Sequence, residues 1–259
     1  MKKFLFTVDL EEFDSVKQEN KCSEEGFKKL YGLIKKHNIK TTFFVTLYFA
    51  LKNPDIIKRL LIDGHEIACH AYEHSDRYNK MDEKEAFRLI SLAKSKLESK
   101  FNTKVVGFRA PQMSYPSYNL LESLGFEYDS SLHPTFLPGF HNELNRSRKI
   151  EKKNGLTIIP ISTVPFLRSP FSWIWFRNFG LWYTKICTML CRTYVNIYFH
   201  PWDFCDLKKY VIDIGANKII NFLFVRNSGE KALTKLDRYF RWINNKKIQS
   251  MTIKEYLKK

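Results

Sequence analysis

Apolar residues in this chain come in short runs separated by amphipathic stretches. Phe4 to Val8 reads as a buried strand, and the β-branched and aromatic run Thr41 to Val45 as another. Between them, Phe27, Leu30, Tyr31 and Ile34 recur at the spacing of one helix face. Helices are predicted near Pro54 to Ile62 and from Asp82 to Leu97, with strands near Ile67 to Cys69 and Val105 to Phe108. A further helix ends at Leu124-Gly125, where the glycine suits a C-terminal cap. Strands follow near Phe126 to Tyr128, Leu156 to Ile159 and Val195 to Phe199. Strand and helix in alternation predict a parallel sheet, open or closed into a barrel.

The polar residues with chemical potential follow these strands. Asp9, Glu11 and Glu12 come after the first; His70 and His74 after Ile67 to Cys69; Arg109 after Val105 to Phe108; Asp129 after Phe126 to Tyr128; His200 after Val195 to Phe199. In α/β folds the carboxyl ends of the strands are where active sites are assembled, whereas polar groups scattered for solubility show no such bias.

Composition narrows the possibilities. No linker, low-complexity tract or repeat divides the 259 residues, so one domain over residues 1–259 is expected. The 43 Lys and Arg against 27 Asp and Glu give a net charge of +16, a field that favours anionic sugars, an anionic membrane surface or nucleic acid. A solvated basic surface is the plainer explanation. No arginine-aromatic motif or zinc-finger spacing argues for specific nucleic acid recognition. Five cysteines without a regular framework point to reduced thiols in an intracellular protein. The apolar start, Met1 to Val8, is too short for a signal peptide. The aromatic stretch Phe166 to Tyr183 carries Arg168 and Arg177, which argues against a membrane span. The expectation is a soluble cytoplasmic chain, with room for peripheral contact at the inner membrane surface.

Each chemical element has a structural alternative when taken singly. His70 and His74, four apart, can turn both rings to one point, and neutral imidazole is a common zinc ligand; they could equally be loop histidines. Asp9 to Glu12 could be the acidic first turn of a helix, and Arg109 a surface arginine beside a turn. His200-Pro201-Trp202-Asp203 could be a helix entry with its Trp packed inward. Jointly, on successive strand ends, they describe a site.

In their order, Thr7-Val8-Asp9-Leu10-Glu11, Gly64-His65-Glu66-Ile67 leading to His70-x-x-x-His74, Phe108-Arg109-Ala110-Pro111, Tyr128-Asp129-Ser130-Ser131 and Tyr198-Phe199-His200-Pro201 resemble the motifs of the polysaccharide deacetylase family, the NodB-homology or carbohydrate esterase family 4 group. A closer likeness is to a subgroup with a Val-Asp-x-Glu-Glu start and a His-Pro-Trp-acid end. The resemblance implies an irregular (β/α) barrel and metal-dependent removal of an N-acyl group, acetyl or formyl, from an amino sugar.

Carried over by position, the resemblance makes Asp9 the general base, His70 and His74 metal ligands, Arg109 the partner of the base and His200 the general acid. Where the family's first motif has a second aspartate this chain has Leu10, so Glu11 is expected to complete a zinc site, with Glu12 the alternative. Asp129 corresponds either to the aspartate that orients His200 or to a structural one, with Asp203 competing for the orienting role. Gln112, through its backbone N–H, and Trp202 are expected on the substrate. The implied substrate is a polysaccharide, cell-surface glycan or lipid-linked glycan precursor; the aromatic segment Phe171 to Tyr183 is either a stacking surface for it or part of the core. A cyclic imide or ureide amidohydrolase on the same fold, and a non-catalytic glycan binder, remain as other readings.

Overall fold

The structure, a computed structural model, describes residues 1–12, 19–137, 141–210 and 218–258. Strand β1 (Lys3–Leu10) is covered on both faces, and only Lys3 escapes burial. A continuous apolar run in a parallel sheet implies such coverage. β1 pairs in parallel with β10 (Tyr194–Phe199) on one side and β2 (Thr41–Val45) on the other. From β2 the parallel order continues through β3 (Glu66–Cys69), β4 (Gly107–Phe108), β5 (Tyr128–Asp129) and β9 (Leu156–Ile158), and β8 (Glu151–Lys153) joins antiparallel to β9. β11 (Gln249–Ser250) pairs with Lys3 and Phe4, ahead of the stretch of β1 that meets β2. A separate hairpin joins β6 (Phe136–Leu137) to β7 (His141–Asn142).

The sheet curls into an irregular (β/α) barrel rather than lying open. Its two ends meet through the chain beyond β9: Ser162 N donates to Asn196 O, and Asn196 N donates to Ser162 Oγ. The contact combines one backbone bond with a side-chain bridge, and Asn196 Nδ2 adds a bond to Pro160 O. Helices α1 (Glu19–Lys36), α2 (Leu47–Lys52), α3 (Pro54–Ile62), α4 (Glu83–Phe101) and α5 (Tyr118–Ser123) fill the first half of the chain. Helices α6 (Trp173–Asn178), α7 (Leu181–Leu190), α8 (Leu207–Tyr210), α9 (Lys218–Val225), α10 (Glu230–Asn245) and α11 (Ile253–Leu257) fill the second.

Strand periodicity sorts β1 into two faces. Phe4, Phe6, Val8 and Leu10 share the main core with Phe27, Leu30 and Ile34 of α1 and Phe240 of α10. Leu5 belongs to a different cluster, with Phe44, Ala68, Val106, Tyr128 and Ile159, that fills the barrel interior. Thr7 and Asp9 lie on the same side as Leu5. At the far end of the barrel from Asp9, buried Glu66 accepts hydrogen bonds from Thr42 Oγ1 at 2.8 Å and Tyr128 Oη at 2.9 Å. The predicted strand Val105 to Phe108 contracts to Gly107–Phe108, although Val106 O still accepts from Glu127 N.

Candidate active site

Alternation along β1 decides which acids meet. Thr7 and Asp9 face the interior, and both touch Arg109, which is fully buried just past β4. Arg109 Nη1 donates to Asp9 Oδ1 at 2.6 Å and to Thr7 Oγ1 at 2.9 Å; Nε and Nη2 donate to Ser130 O and Oγ, each at 3.0 Å. The guanidinium lies 4.0 Å above the Phe44 ring. With this many partners its charge is buried without being orphaned. Leu10 points the other way, into the main core, and is fully buried. A carboxylate there would face helices instead of the site. Glu11 is the next residue on the side of Asp9. Glu12 turns away again and accepts a hydrogen bond from Thr46 Oγ1 at 3.2 Å, the residue that caps α2.

Glu11 lies under three imidazoles. Its Oε2 is 2.9 Å from His70 Nε2, and its Oε1 is 3.5 Å from His74 Nε2 and 3.7 Å from His200 Nε2. Burial alone would raise the Glu11 carboxyl, but His74, His70 and His200 outweigh it and hold it down at about 2. Glu12 is pushed up to about 7, chiefly by burial. The two acids are thus electrically opposite. His70 Nδ1 is 2.7 Å from Arg109 O, a carbonyl that can only accept, so Nδ1 carries hydrogen and Nε2 is the atom turned to Glu11. Burial depresses His70, while Glu11 and Asp9 raise it to a net position above the ordinary imidazole range.

Among the described residues no group of three or more His, Cys, Asp or Glu stands ready-arranged to hold a metal ion. The imidazoles contact Glu11 itself, and a cation would insert between them. Two donors about 2.1 Å from a tetrahedral zinc stand ~3.4 Å apart, and gaps of 2.9 and 3.5 Å from Glu11 to His70 and His74 bracket that spacing. The donor set of one carboxylate and two histidines also matches what zinc takes.

His200, at the end of β10, forms the opposite side, with Nε2 4.0 Å from Asp9 Oδ2. Its expected partner Asp129 is elsewhere: that carboxylate accepts from Ser131 Oγ at 2.5 Å and from Ser131 N, inside its own turn. Burial pushes Asp129 up to about 6. Asp203 takes the place assigned to it, because the Pro201–Phe204 turn folds it back: Oδ2 accepts from His200 N at 2.8 Å and stands 3.5 Å from His200 Nδ1. Trp202 also departs from expectation. It is 2% exposed and stacks on the His200 ring at 4.3 Å and 9°, so it backs the histidine and offers no open face to a ligand. Gln112 is exposed in the Pro111–Met113 turn, with φ of 49°; Ala71, beside His70, has φ of 69°. Left-handed non-glycine residues are costly, and Ala71, Gln112 and Met113 are three that lie just past site-bearing strands, among others spread along the chain.

The sequence reading missed α6. Arg177 is fully buried, its Nε 3.0 Å from Asp203 Oδ1, and its Nη2 donates to Phe224 O at 2.7 Å. Four residues earlier Trp173 sets its ring 5.1 Å from His200. The i, i+4 pair of a Trp and an Arg in an otherwise apolar segment was the available signal.

Residues 12–128 match the model of the polysaccharide deacetylase family. Over those residues, somewhat less than half of its length, the chain is similar to that family. Among curated proteins the chain is 30% identical over 107 residues to the peptidoglycan-N-acetylmuramic acid deacetylase PdaA of Bacillus subtilis (strain 168), a match covering 40% of this chain and 41% of that protein. The chain therefore spans less than half of that relative. Among solved structures it resembles a probable polysaccharide deacetylase from Pseudomonas aeruginosa PAO1, with TM-score 0.66 and 18% identity over 98% of this chain and 88% of the other. It also resembles Puue allantoinase, with TM-score 0.65 and 17% identity over 96% and 86% of the two chains. Both structural likenesses establish the barrel.

Proposed function

We propose that this deacetylase-family barrel is a metal-dependent hydrolase, one catalytic domain over residues 1–259, that removes an acetyl or formyl group from the nitrogen of an amino sugar. The observation that carries the reading is the juxtaposition of two differently wired acids: Asp9 held by Arg109, and Glu11 drawn among His70, His74 and His200. Glu11, His70 and His74 would hold a divalent cation, zinc by preference. Bound there, it would acidify a water and polarise the acyl carbonyl.

The chain's own groups supply the proton traffic. Asp9, fixed in place by Arg109, takes the proton of the attacking water. The Gln112 N–H, in its left-handed turn, donates to the developing oxyanion. His200 delivers a proton to the departing nitrogen, held by Asp203 beside it and Trp202 beneath it. Base and acid stand close together, His200 Nε2 being 4.0 Å from Asp9 Oδ2 and 3.7 Å from Glu11 Oε1, within reach of one amide. The amino-sugar substrate is supported by the acetylated sugar named for the Bacillus subtilis relative. A polysaccharide, cell-surface glycan or lipid-linked precursor all offer it. We place the protein in the cytoplasm at the inner membrane surface; five free, buried cysteines are at home in a reducing compartment.

The test is to measure bound metal, then deacylation of N-acetyl and N-formyl amino sugars, with a cyclic ureide as competitor substrate. Asp9→Asn should abolish turnover with metal retained, and His70→Ala should lose both. Metal-free protein with deacylation unchanged in both variants would reject the mechanism; turnover of the ureide alone would move the substrate class.

A further inference from the structure

Helix α7 is built inside out. Its buried side presents Thr184, Cys187 and Thr188, each 1% exposed or less, with Thr188 Oγ1 2.5 Å from Tyr239 Oη. Its outer side presents Trp182, Ile186, Met189 and Leu190, at 67, 51, 54 and 48% exposure. Their spacing makes one stripe. A helix that docks only on its own domain turns such a stripe inward, so this one is made for an outside contact. The stripe has neighbours. Phe179 precedes it at 47% exposure, and the loop bearing Phe166 and Leu167, at 99 and 81%, is tied to α7 by Ser169 Oγ and Pro170 O on Tyr183 Oη.

Cations surround the apolar surface. Lys185 rises from the helix, Lys2 donates to the carbonyls of Thr188 and Met189 at its end, and exposed Arg192 follows. Next to Leu181 opens a cavity of about 450 Å³ whose rim carries exposed Lys231 and Arg238 against the single acid Glu230, while Lys235 there donates to the carbonyls of Phe176, Arg177 and Phe179. We propose that α7 and its flanking loop are a docking surface for an anionic lipid bilayer, with the stripe immersed at the headgroup boundary and the cations on lipid phosphates. A short helix, apolar on one side with Trp at its edge and ringed by Lys and Arg, suits the bilayer interface. A second copy of this chain is a poorer occupant, since it would bring +16 against +16. The contact gives the membrane-surface placement above a physical means. It does not rest on the deacylation chemistry.

The full chain is sedimented with vesicles of phosphatidylcholine alone and of phosphatidylcholine with phosphatidylglycerol, at low and high salt. Binding is expected to the anionic vesicles, weakening as salt rises. Trp182→Ser with Ile186→Ser and Met189→Ser should cost about tenfold or more in binding, and Lys231→Glu with Arg238→Glu a comparable factor. Both variants should keep the parent's melting temperature and its deacylation of a soluble amino sugar. The proposal is overturned if the chain stays in the supernatant with anionic vesicles, or if the serine variant sediments like the parent. It is equally overturned if the parent is a dimer that the serine variant dissociates. Vesicle binding is read without turnover, so it can fail while the enzymatic reading survives, and the reverse.

Discussion

At the scale of single residues, Arg177 does the most from the greatest distance. It touches neither Glu11 nor Asp9, yet it occupies the Asp203 oxygen that His200 does not use. Without it, Asp203 would be a buried carboxylate facing an empty guanidinium site, free to turn from His200. Arg177→Gln should therefore impair proton delivery while leaving water attack intact. Hydrolysis of an N-acetyl amino sugar, whose amine must be protonated to leave, should fall by about 10²-fold or more. An aryl acetate needs no such help, and its rate should change by less than about threefold on the same scale. Arg177→Lys should restore part of the amide rate. Equal losses on both substrates would make Arg177 a fold-supporting residue only.

At the scale of elements, the contact between α1 and the Pro201–Phe204 turn controls where His200 and Asp203 stand. Gly26 is the point of closest approach: a Cβ there would lie 1.9 Å from Pro201 O and 2.7 Å from its carbonyl carbon. Helix propensity alone predicts that Gly26→Ala stabilises α1 by about 1 kcal/mol. The clash is with backbone, so the opposite sign is expected, a loss of about 1–3 kcal/mol from overpacking. Melting of the variant should be lower by several degrees, at ~2–4 °C per kcal/mol for a chain of this size. A variant that melts at or above the parent would show that the turn can shift freely. Legibility followed the same division. β1, β2 and β10 are long enough to carry a pattern, and the parity of Thr7, Asp9 and Glu11 could be read from it directly. Leu10 looked like a defect only because adjacency was counted instead of alternation. β4 and β5 are two residues each and α6 is six, too short for a period to emerge. Arg177 sat unread in an aromatic segment, and Trp202 and Asp203 were placed by a 3₁₀ turn that pattern alone does not specify.

At the scale of the whole molecule, a cation held as proposed would couple metal binding to folding. The unfolded chain scatters Glu11, His70 and His74 over more than sixty residues, so a cation that prefers the assembled trio stabilises the native state by mass action. At about 100 times its dissociation constant, zinc should add ~2.7 kcal/mol, or roughly 5–10 °C of melting temperature at the sensitivity of a chain this long. Uptake should also release protons, because the net pull of Glu11 and Asp9 on His70 favours its protonated form before a cation replaces that proton. Glu11→Gln is expected to erase most of the zinc shift. Glu12→Gln should keep it, since Glu12 faces Thr46 and its carboxyl, near 7, is already partly neutral at physiological pH. Melting curves of the three proteins, with zinc and with chelator, decide between the two acids. A zinc shift that survives Glu11→Gln and disappears in Glu12→Gln would exchange their roles, and the ligand set would then have to be rebuilt around Glu12.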